Sequence, residues 1–245
     1  MEKVNILGVK VDMVNIKEAA EKIMNFFDED KFHSVYTPNS EIIMAAYRDK
    51  EFCDILNRSE LLTADGIGVV YASKILGKPI NERAAGYDIA CEVLKKLNGT
   101  EHRLFLFGGK PGVAETAKEK LLQKYPELNI VGCRNGYFKE DEEEGIIEEI
   151  NSTGADIVFV CLGAPKQEKF IDRYRDKLNV RVAMGIGGSL DVFAGTAQRA
   201  PDFFCKYGIE WLYRLLKDPK RIGRMMDLPK FGITVVFKGK KFKQI

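Results

Sequence analysis

At 245 residues, the chain is long enough to bury a large core, as one domain with an appendage or as two small lobes. Its 45% hydrophobic and 30% charged residues are typical of a soluble globular protein, and its apolar runs fall far short of the roughly 18–20 residues that span a membrane. The amino terminus lacks the features of a signal peptide, and the five cysteines have no CxxC or metal-ligand spacing. We therefore expect a cytoplasmic protein with reduced thiols.

The charge is distributed unevenly along the chain. Residues 206–245 contain eleven Lys or Arg side chains and three acidic ones, a net charge of +8. Since the whole chain carries +2, the remaining residues carry −6. A basic tail on an acidic body indicates an anionic partner for the tail: a membrane surface, a nucleic acid or a phosphorylated ligand.

Strand and helix patterns alternate about six times along the chain. Short apolar runs predict a strand or hairpin arm over residues 4–11 and strands over 32–37, 61–63, 103–107, 128–133, 157–162 and 180–184. Helical spacing and capping signals predict helices over residues 17–27, 67–76, 89–97, 112–124, 141–151 and 166–176, and another after Ser40. This alternation predicts an α/β fold, a Rossmann-like, doubly wound and mostly parallel sheet.

From Ala200 onward the chain is helical and basic, with a strand or helix predicted over residues 232–237. We therefore divide it into an α/β catalytic core, residues 1–195, and a basic membrane-associating appendage, residues 196–245. Trp211, Leu212 and Leu215 form an apolar stripe in the appendage, and basic residues recur beside it every three or four positions. Two interpretations stay open: a helix packed on the core with a solvated basic face, or an interfacial helix pair on anionic lipid.

The stretch Asp156–Phe170 organises the predicted site. A buried strand ends there at Gly163-Ala164-Pro165, and Gln167 and Glu168 begin the next helix. Because the carboxyl ends of parallel strands share one edge of a sheet, the residues that follow five strands should meet there. These residues are Thr37, Asn39, Asp65, Gly108, Gly109, Gln167, Glu168, Gly187, Gly188 and Asp191.

Each candidate has an alternative interpretation. Asp65 is either a helix N-cap or a general base for a hydroxyl group. Arg83, in the loop that leads to Asp88, is either a surface residue or a bidentate phosphate ligand. The segments 107–112 and 185–191 match neither GxGxxG nor a P-loop, but their glycines allow backbone N–H groups to approach an anion. Asn39 or Ser40 is placed to cap the helix that follows.

Histidine and metal chemistry are not indicated. His33 and His102 both precede strands, which puts them at the opposite edge of the sheet in structural roles. This position argues against Ser-His-Asp hydrolysis, Cys-His chemistry and histidine-ligated zinc. The acidic clusters at residues 28–30 and 140–144 are interpreted as solvated faces or helix-dipole partners, so we expect a metal-independent mechanism.

An ordered set of short motifs supports a more specific hypothesis. The motifs are TPNSE (37–41), ADG (64–66), RAAGYD (83–88), FGG (107–109), GAPKQE (163–168), GIGGSLDVFAG (185–195), RAP (199–201) and GIEWLYRLLKDPKR (208–221). From about Asn5 to about Met226, the chain resembles the WecG/TagA/CpsF family of bacterial glycosyltransferases, and within it the N-acetylmannosaminyltransferases of wall teichoic acid linkage-unit synthesis.

The resemblance implies an inverting transfer of ManNAc from UDP-ManNAc to the 4-hydroxyl of GlcNAc on an undecaprenyl diphosphate lipid, without metal or cofactor. It implies Asp65 as the base and Arg83 as the cation that neutralises a diphosphate. It further implies that sugar or acceptor hydroxyl groups are bound by Thr37, Asn39 and Gln167. Uridine and ribose would be held by Gly108, Gly109, Gly187, Gly188 and Asp191. At the membrane, the tail would close over the diphosphate with Arg214, Arg221 and Arg224.

The implied location is cytoplasmic, on the inner face of the cell membrane, with no nucleic-acid partner; the sequence leaves open whether the chain forms a homo-oligomer. Three alternatives remain: transfer of another UDP-sugar such as ManNAcA or glucose to a polyprenyl-linked acceptor, a nucleotide-dependent oxidoreductase, and a non-catalytic peripheral membrane module. Against the oxidoreductase, this chain lacks the glycine fingerprint of dinucleotide binding and the acidic residue expected about 20 positions beyond it. The membrane module leaves the polar strand ends without a purpose.

Overall fold

The computed structural model describes residues 2–201, 203–204, 210–217 and 226–242. The strands are β1 (Lys3–Ile6), β2 (Val9–Asp12), β3 (His33–Tyr36), β4 (Leu61–Leu62), β5 (Arg103–Gly108), β6 (Asn129–Arg134), β7 (Ile157–Cys161) and β8 (Val182–Gly185). The helices are α1 (Ile16–Asn25), α2 (Ser40–Arg48), α3 (Lys50–Asn57), α4 (Ile67–Ile75), α5 (Gly86–Leu97), α6 (Val113–Lys124), α7 (Glu143–Ser152), α8 (Lys166–Arg173), α9 (Ser189–Phe193), α10 (Glu210–Lys217) and α11 (Asp227–Lys238).

Six strands form a single parallel sheet in the order β4-β3-β8-β7-β5-β6, which confirms the predicted α/β, Rossmann-like fold. The predicted arm at residues 4–11 is instead a complete antiparallel hairpin, β1-β2, in a sheet of its own. All five residues of β7 are buried, because helices cover both faces of the sheet at this strand.

The apolar core consists of two layers, one on each face of the sheet. One layer buries residues of α1, α5, α6 and α9. The other buries residues of α2, α3, α4, α7 and α8, together with the hairpin and α11. Because all six sheet strands run the same way, the loops that follow them emerge at one edge between these layers.

The five strands that carry candidate residues are consecutive in the sheet, in the order β4-β3-β8-β7-β5. Neighbouring strands lie about 4.8 Å apart, so their carboxyl ends define an edge about 19 Å long. Asp65 follows the strand at one end of this row, and Gly109 follows the strand at the other. The row is therefore long enough for an extended ligand.

The last helix, α11, packs against α2 and α4. Its Phe231 and Val235 are buried, and its Asp227 forms an ion pair with Arg48 of α2. The structure thus resolves the strand-or-helix alternative at residues 232–237 as a helix. Among the described residues, no helix is both long enough and apolar enough to cross a membrane.

Candidate active site

Asp65 lies just beyond β4 but does not cap the helix that follows it. The N-cap position of α4 belongs to Gly66, at a φ of 95° that favours glycine, so the N-cap interpretation of Asp65 is wrong. Its carboxylate instead accepts a hydrogen bond from the backbone N–H of Gly86, at 3.4 Å. Gly86 is the first residue of α5, so the half-buried carboxylate lies at a helix amino terminus, where the helix dipole stabilises negative charge.

The start of α5 is pressed closely against the end of β3. A Cβ atom added at Gly86 would lie 2.6 Å from Oγ1 of Thr37, whose side chain is buried. The loop before α5 is tied to the end of β4: the Ala84 N–H donates to Ala64 O at 3.0 Å, and Thr63 Oγ1 donates to Ala84 O at 2.9 Å. Only a residue without a side chain allows this approach, which brings Thr37 and Asp65 together.

Asn39 has a structural contact at the same edge. Its side-chain oxygen accepts from the Ile42 N–H at 3.0 Å and caps α2, as the capping signal predicted. A Cβ at Gly66 would lie 3.8 Å from the Asn39 Cβ, so this residue borders the Asp65 turn. The amide nitrogen takes no part in the capping bond. A substrate-binding role for Asn39 therefore stays a prediction.

Two arginines converge on Asp88 near the start of α5. Arg83, largely buried, donates to Asp88 Oδ2 at 3.3 Å. Arg199 approaches both carboxylate oxygens, at 2.6 and 2.8 Å, and its guanidinium lies 4.9 Å from the centre of the Tyr87 ring. Arg83, Asp88 and Arg199 thus form a cluster with a net charge of +1 beside the Asp65 turn. Sequence reasoning did not assign a role to Arg199, although the RAP motif contains it.

The glycine loops after β5 and β7 pack tightly together. A Cβ at Gly108 would lie 2.3 Å from the Cys161 carbonyl oxygen, and Gly108 adopts a φ of 134°. The Gly109 N–H donates to the same carbonyl at 3.2 Å, and Gly109 O accepts from the Gly136 N–H at 2.8 Å. These glycines therefore allow the backbones of two adjacent strand ends to lie close together. Because glycine has no side chain, they would also leave room for an anion to approach the backbone.

Gln167 connects the start of α8 to the loop after β8. Its Oε1 accepts from the Gly187 N–H at 3.0 Å, and its Nε2 donates to Glu168 Oε1 at 2.8 Å. Both side chains are buried, and burial raises the pKa of Glu168. Sequence reasoning placed Glu168 at this edge but did not give it a role. The signal was its position in the first turn of the helix that follows a buried strand.

Asp191 lies in the short helix α9. Its carbonyl oxygen accepts from the N–H groups of Thr196 and Ala197, and its Oδ1 accepts from the Thr196 hydroxyl at 3.4 Å. A Cβ at Gly188 would lie 3.9 Å from Asp191 Oδ2, and Gly187 is open to the surroundings with a φ of 56°. Gly187, Gly188 and Asp191 thus lie close together after β8, and their role in holding uridine and ribose stays a prediction.

The two histidines have structural contacts away from this edge. His33 is buried at the start of β3 and stacks on Phe26, with ring centroids 4.0 Å apart; His102 stacks on Phe27. Among the described residues, no group of three or more His, Cys, Asp or Glu side chains is arranged to hold a metal ion. Arg214 belongs to α10, whereas Arg221 and Arg224 lie outside the described residues, so their roles stay predictions.

The edge thus combines the Asp65 carboxylate at the amino terminus of α5, an arginine cluster and several glycine loops. Together with the parallel sheet, this set is that of an α/β enzyme of the group-transfer class. More specifically, the chain belongs to the Glycosyl transferase WecG/TagA/CpsF family, which it matches over residues 4–244.

Several curated relatives align over most of their length. A protein from Bacillus spizizenii is 38% identical over 87% of this chain and 82% of its own, and one from Bacillus subtilis is 36% identical over 98% and 92%. One from Staphylococcus aureus is 36% identical over 99% of this chain and 95% of its own. Each is named N-acetylglucosaminyldiphosphoundecaprenol N-acetyl-beta-D-mannosaminyltransferase. The chain is therefore similar to these transferases throughout, including at its basic tail.

Proposed function

We propose that the chain transfers N-acetylmannosamine from UDP-ManNAc to the 4-hydroxyl of GlcNAc on undecaprenyl diphosphate, in wall teichoic acid linkage-unit synthesis. The acceptor and the transferred sugar are those in the names of its relatives. The observation that carries the proposal is the Asp65 carboxylate, held at the amino terminus of α5 at the edge where the parallel strands end. A carboxylate there is suited to act on one hydroxyl group.

The proposed chemistry is a direct displacement. Asp65 takes the proton of the acceptor 4-hydroxyl as its oxygen forms a bond to C1 of the donor sugar. The bond between C1 and the phosphate oxygen breaks, and the electron pair leaves with UDP. Attack opposite the leaving group inverts C1, so an α-linked donor gives the β-linked sugar that the relatives' name specifies.

Arg83 is proposed to stabilise the charge that develops on the departing diphosphate. Its guanidinium donates a hydrogen bond to Asp88, which holds it in place. It provides the positive charge that a metal ion supplies in other enzymes, so we propose that the reaction needs no metal. Thr37, Asn39 and Gln167 are proposed to orient sugar or acceptor hydroxyl groups. The glycine loops and Asp191 are proposed to hold the uridine and ribose.

Because the proposed acceptor is a lipid, the reaction takes place at a membrane, and the basic tail supplies the charge for docking. We propose that the appendage associates with the anionic inner face of the cell membrane. Arg214, Arg221 and Arg224 then close over the diphosphate. The basic charge of residues 206–245 supports this step.

The test measures UDP release from UDP-ManNAc with a short-chain GlcNAc-diphospho-lipid, in the presence of EDTA. Asp65→Asn should reduce turnover by about 10²-fold or more, the effect of losing a general base. Asp30→Asn is the matched control, because Asp30 is exposed and precedes β3 at the opposite edge. This control should keep the parent rate.

Each other outcome removes a defined part of the proposal. Full turnover in Asp65→Asn would keep the transferase and reject Asp65 as the base. Turnover that EDTA abolishes would reject the metal-independent mechanism. UDP binding without turnover, combined with activity on a different UDP-sugar, would replace the proposed donor.

A further inference from the structure

Glu168 is an acidic residue in an unusual setting. It occupies the first turn of α8, where a glutamate normally faces water, yet only 1% of its surface is exposed. Its Oε1 accepts from Gln167 Nε2, whereas Oε2 has no hydrogen-bond partner among the described residues. An ionised carboxylate with one buried oxygen unsatisfied is costly, so such a group retains its proton instead.

The groups around Glu168 provide no compensating charge. The strand β8 carries no titratable side chain, and from β3 the Tyr36 hydroxyl donates to the Glu168 backbone oxygen at 3.4 Å. From α3, the residues Phe52, Ile55 and Leu56 are buried. The charged residues of α8 have other contacts: Lys166 with the Phe138 ring, Lys169 with Asp49, Asp172 with Arg58, and Arg173 with Glu143.

A chain of two hydrogen bonds connects Glu168 to the Gly187 loop through the Gln167 amide, and the donor and acceptor of each bond are fixed. A backbone N–H can only donate, so the Gly187 N–H must meet the oxygen of the Gln167 amide. The Nε2 atom of that amide must then face an acceptor, which is Glu168 Oε1. Removing this acceptor would leave the buried amide free to turn, and the Gly187 loop would lose its anchor.

We propose that Glu168 is a positioning residue, held as the neutral carboxylic acid, which acts through the Gln167 amide to fix the Gly187 loop for the donor's nucleotide. Because it treats this loop as part of the nucleotide site, the inference rests on the proposed function. The protonation state of Glu168 can be tested without any ligand.

The first experiment follows urea unfolding of the full chain with pH, in the parent and in Glu168→Gln. Above a pH of about 4.5, the unfolded carboxyl loses its proton while the folded one keeps it, so the parent loses stability as pH rises toward the folded pKa. The glutamine variant has no such loss. The ratio of their unfolding constants should grow about tenfold per pH unit in that window.

Glu143→Gln is the control for this experiment, because Glu143 is also buried but pairs with Arg173 at 2.8 Å. This variant removes a buried carboxyl that has a cationic partner, so a rise confined to Glu168→Gln identifies the carboxyl without one as the source. A ratio for Glu168→Gln that stays flat between about pH 5 and 7 would overturn the neutral acid.

The second experiment measures UDP binding by calorimetry and the donor KM. Glu168→Gln retains an acceptor for Gln167 and should bind UDP within about twofold of the parent, whereas Glu168→Ala should bind it about three- to tenfold more weakly. The alanine variant should raise KM for the donor more than it changes kcat. Should it not fold, Glu168→Met, which fills the space without an acceptor, takes its place.

Parent-like UDP binding by the alanine or methionine variant, or equal losses in the glutamine and alanine variants, would overturn the positioning role. If the parent itself does not bind UDP, the proposed function fails. The unfolding experiment still decides whether Glu168 is neutral, so the two failures are distinguishable.

Discussion

At the scale of single residues, Asp88 has the contacts expected of a support for the arginines at the site. It accepts hydrogen bonds from Arg83 at 3.3 Å and Arg199 at 2.8 Å, and so holds two cations beside the Asp65 turn. Neither guanidinium is then free to rotate independently of α5, which carries Asp88. Arg199 thus becomes a neighbour of the site although it lies in the predicted appendage.

Asp88→Asn should lower kcat/KM by about tenfold or more, because a hydrogen bond between charged groups contributes about 1.5–3 kcal/mol. Steady-state kinetics with the lipid acceptor measure the effect. Asp172→Asn is the matched control: Asp172 pairs with Arg58 at 2.6 Å on the surface, and its loss should leave the rate unchanged. Equal rates in the two variants would reject the supporting role of Asp88.

The sequence placed Asp65 at a strand end and Arg83 and Asp88 in a loop, but it could not identify their partners. Asp65 bonds Gly86, 21 residues further on, and Arg199 bonds Asp88 across 111 residues. No local pattern encodes such pairs, because the sheet order brings them together. For the same reason Asp65 by itself could equally cap α4 or act as a base, and only its expected proximity to Thr37 and Asn39 favoured the base.

At the scale of elements, the amino terminus of α5 requires glycine for its position. A Cβ at residue 86 would lie 2.6 Å from Thr37 Oγ1 and 3.3 Å from Thr37 Cγ2. Both contacts come from a buried side chain on the end of β3, which has little room to move. The bond from Gly86 to Asp65 therefore depends on this close packing.

Gly86→Ala should destabilise the fold by about 1–3 kcal/mol, the usual cost of overpacking, and should lower transfer activity by displacing Asp65. Thermal unfolding and UDP release measure the two effects. Gly145→Ala is the control, since a Cβ there meets nothing within 4 Å and a helical alanine is favoured over glycine.

The double variant Gly86→Ala with Thr37→Ala separates packing from chemistry. Removing the Thr37 hydroxyl and methyl groups relieves both close contacts, so stability should recover. If Thr37 also binds substrate, activity should stay low. A single Gly86→Ala variant as stable and active as the parent would contradict the packing argument.

Most strands and helices were predictable because their signals are local. The buried run at β7 and the alternation of strands with helices predicted the parallel sheet. The segment at residues 232–237 was ambiguous, since its β-branched residues favour a strand. Phe231 and Val235, one helical turn apart, bury their side chains against the core, and this packing settles the segment as a helix.

At the scale of the whole molecule, α11 is apolar on two sides. Phe231 and Val235 face the core, while Ile233, Val236 and Phe237 are between 52% and 77% exposed. A helix that keeps an apolar outer face, in a tail with a net charge of +8, is suited to a membrane interface. In the proposed membrane docking, the charge would attract the helix to anionic lipid and the outer face would enter the headgroup region.

Co-sedimentation of the full chain with anionic vesicles tests this arrangement. Phe237→Ala should weaken binding by about tenfold, because burying a large apolar side chain contributes about 1.5–3 kcal/mol. Phe231→Ala is the matched control: it should lower the free energy of unfolding, since its side chain packs on the core, and should leave the outer face intact.

Salt separates the two forces that this arrangement combines. Raising ionic strength should weaken vesicle binding of the parent and of Phe237→Ala in parallel, because salt screens the attraction of the lysines and arginines to lipid headgroups but not the apolar contact. The ratio between the two proteins should therefore stay constant. Equal binding to zwitterionic vesicles would reject the role of the basic charge, and parent-like binding of Phe237→Ala would reject the role of the outer face.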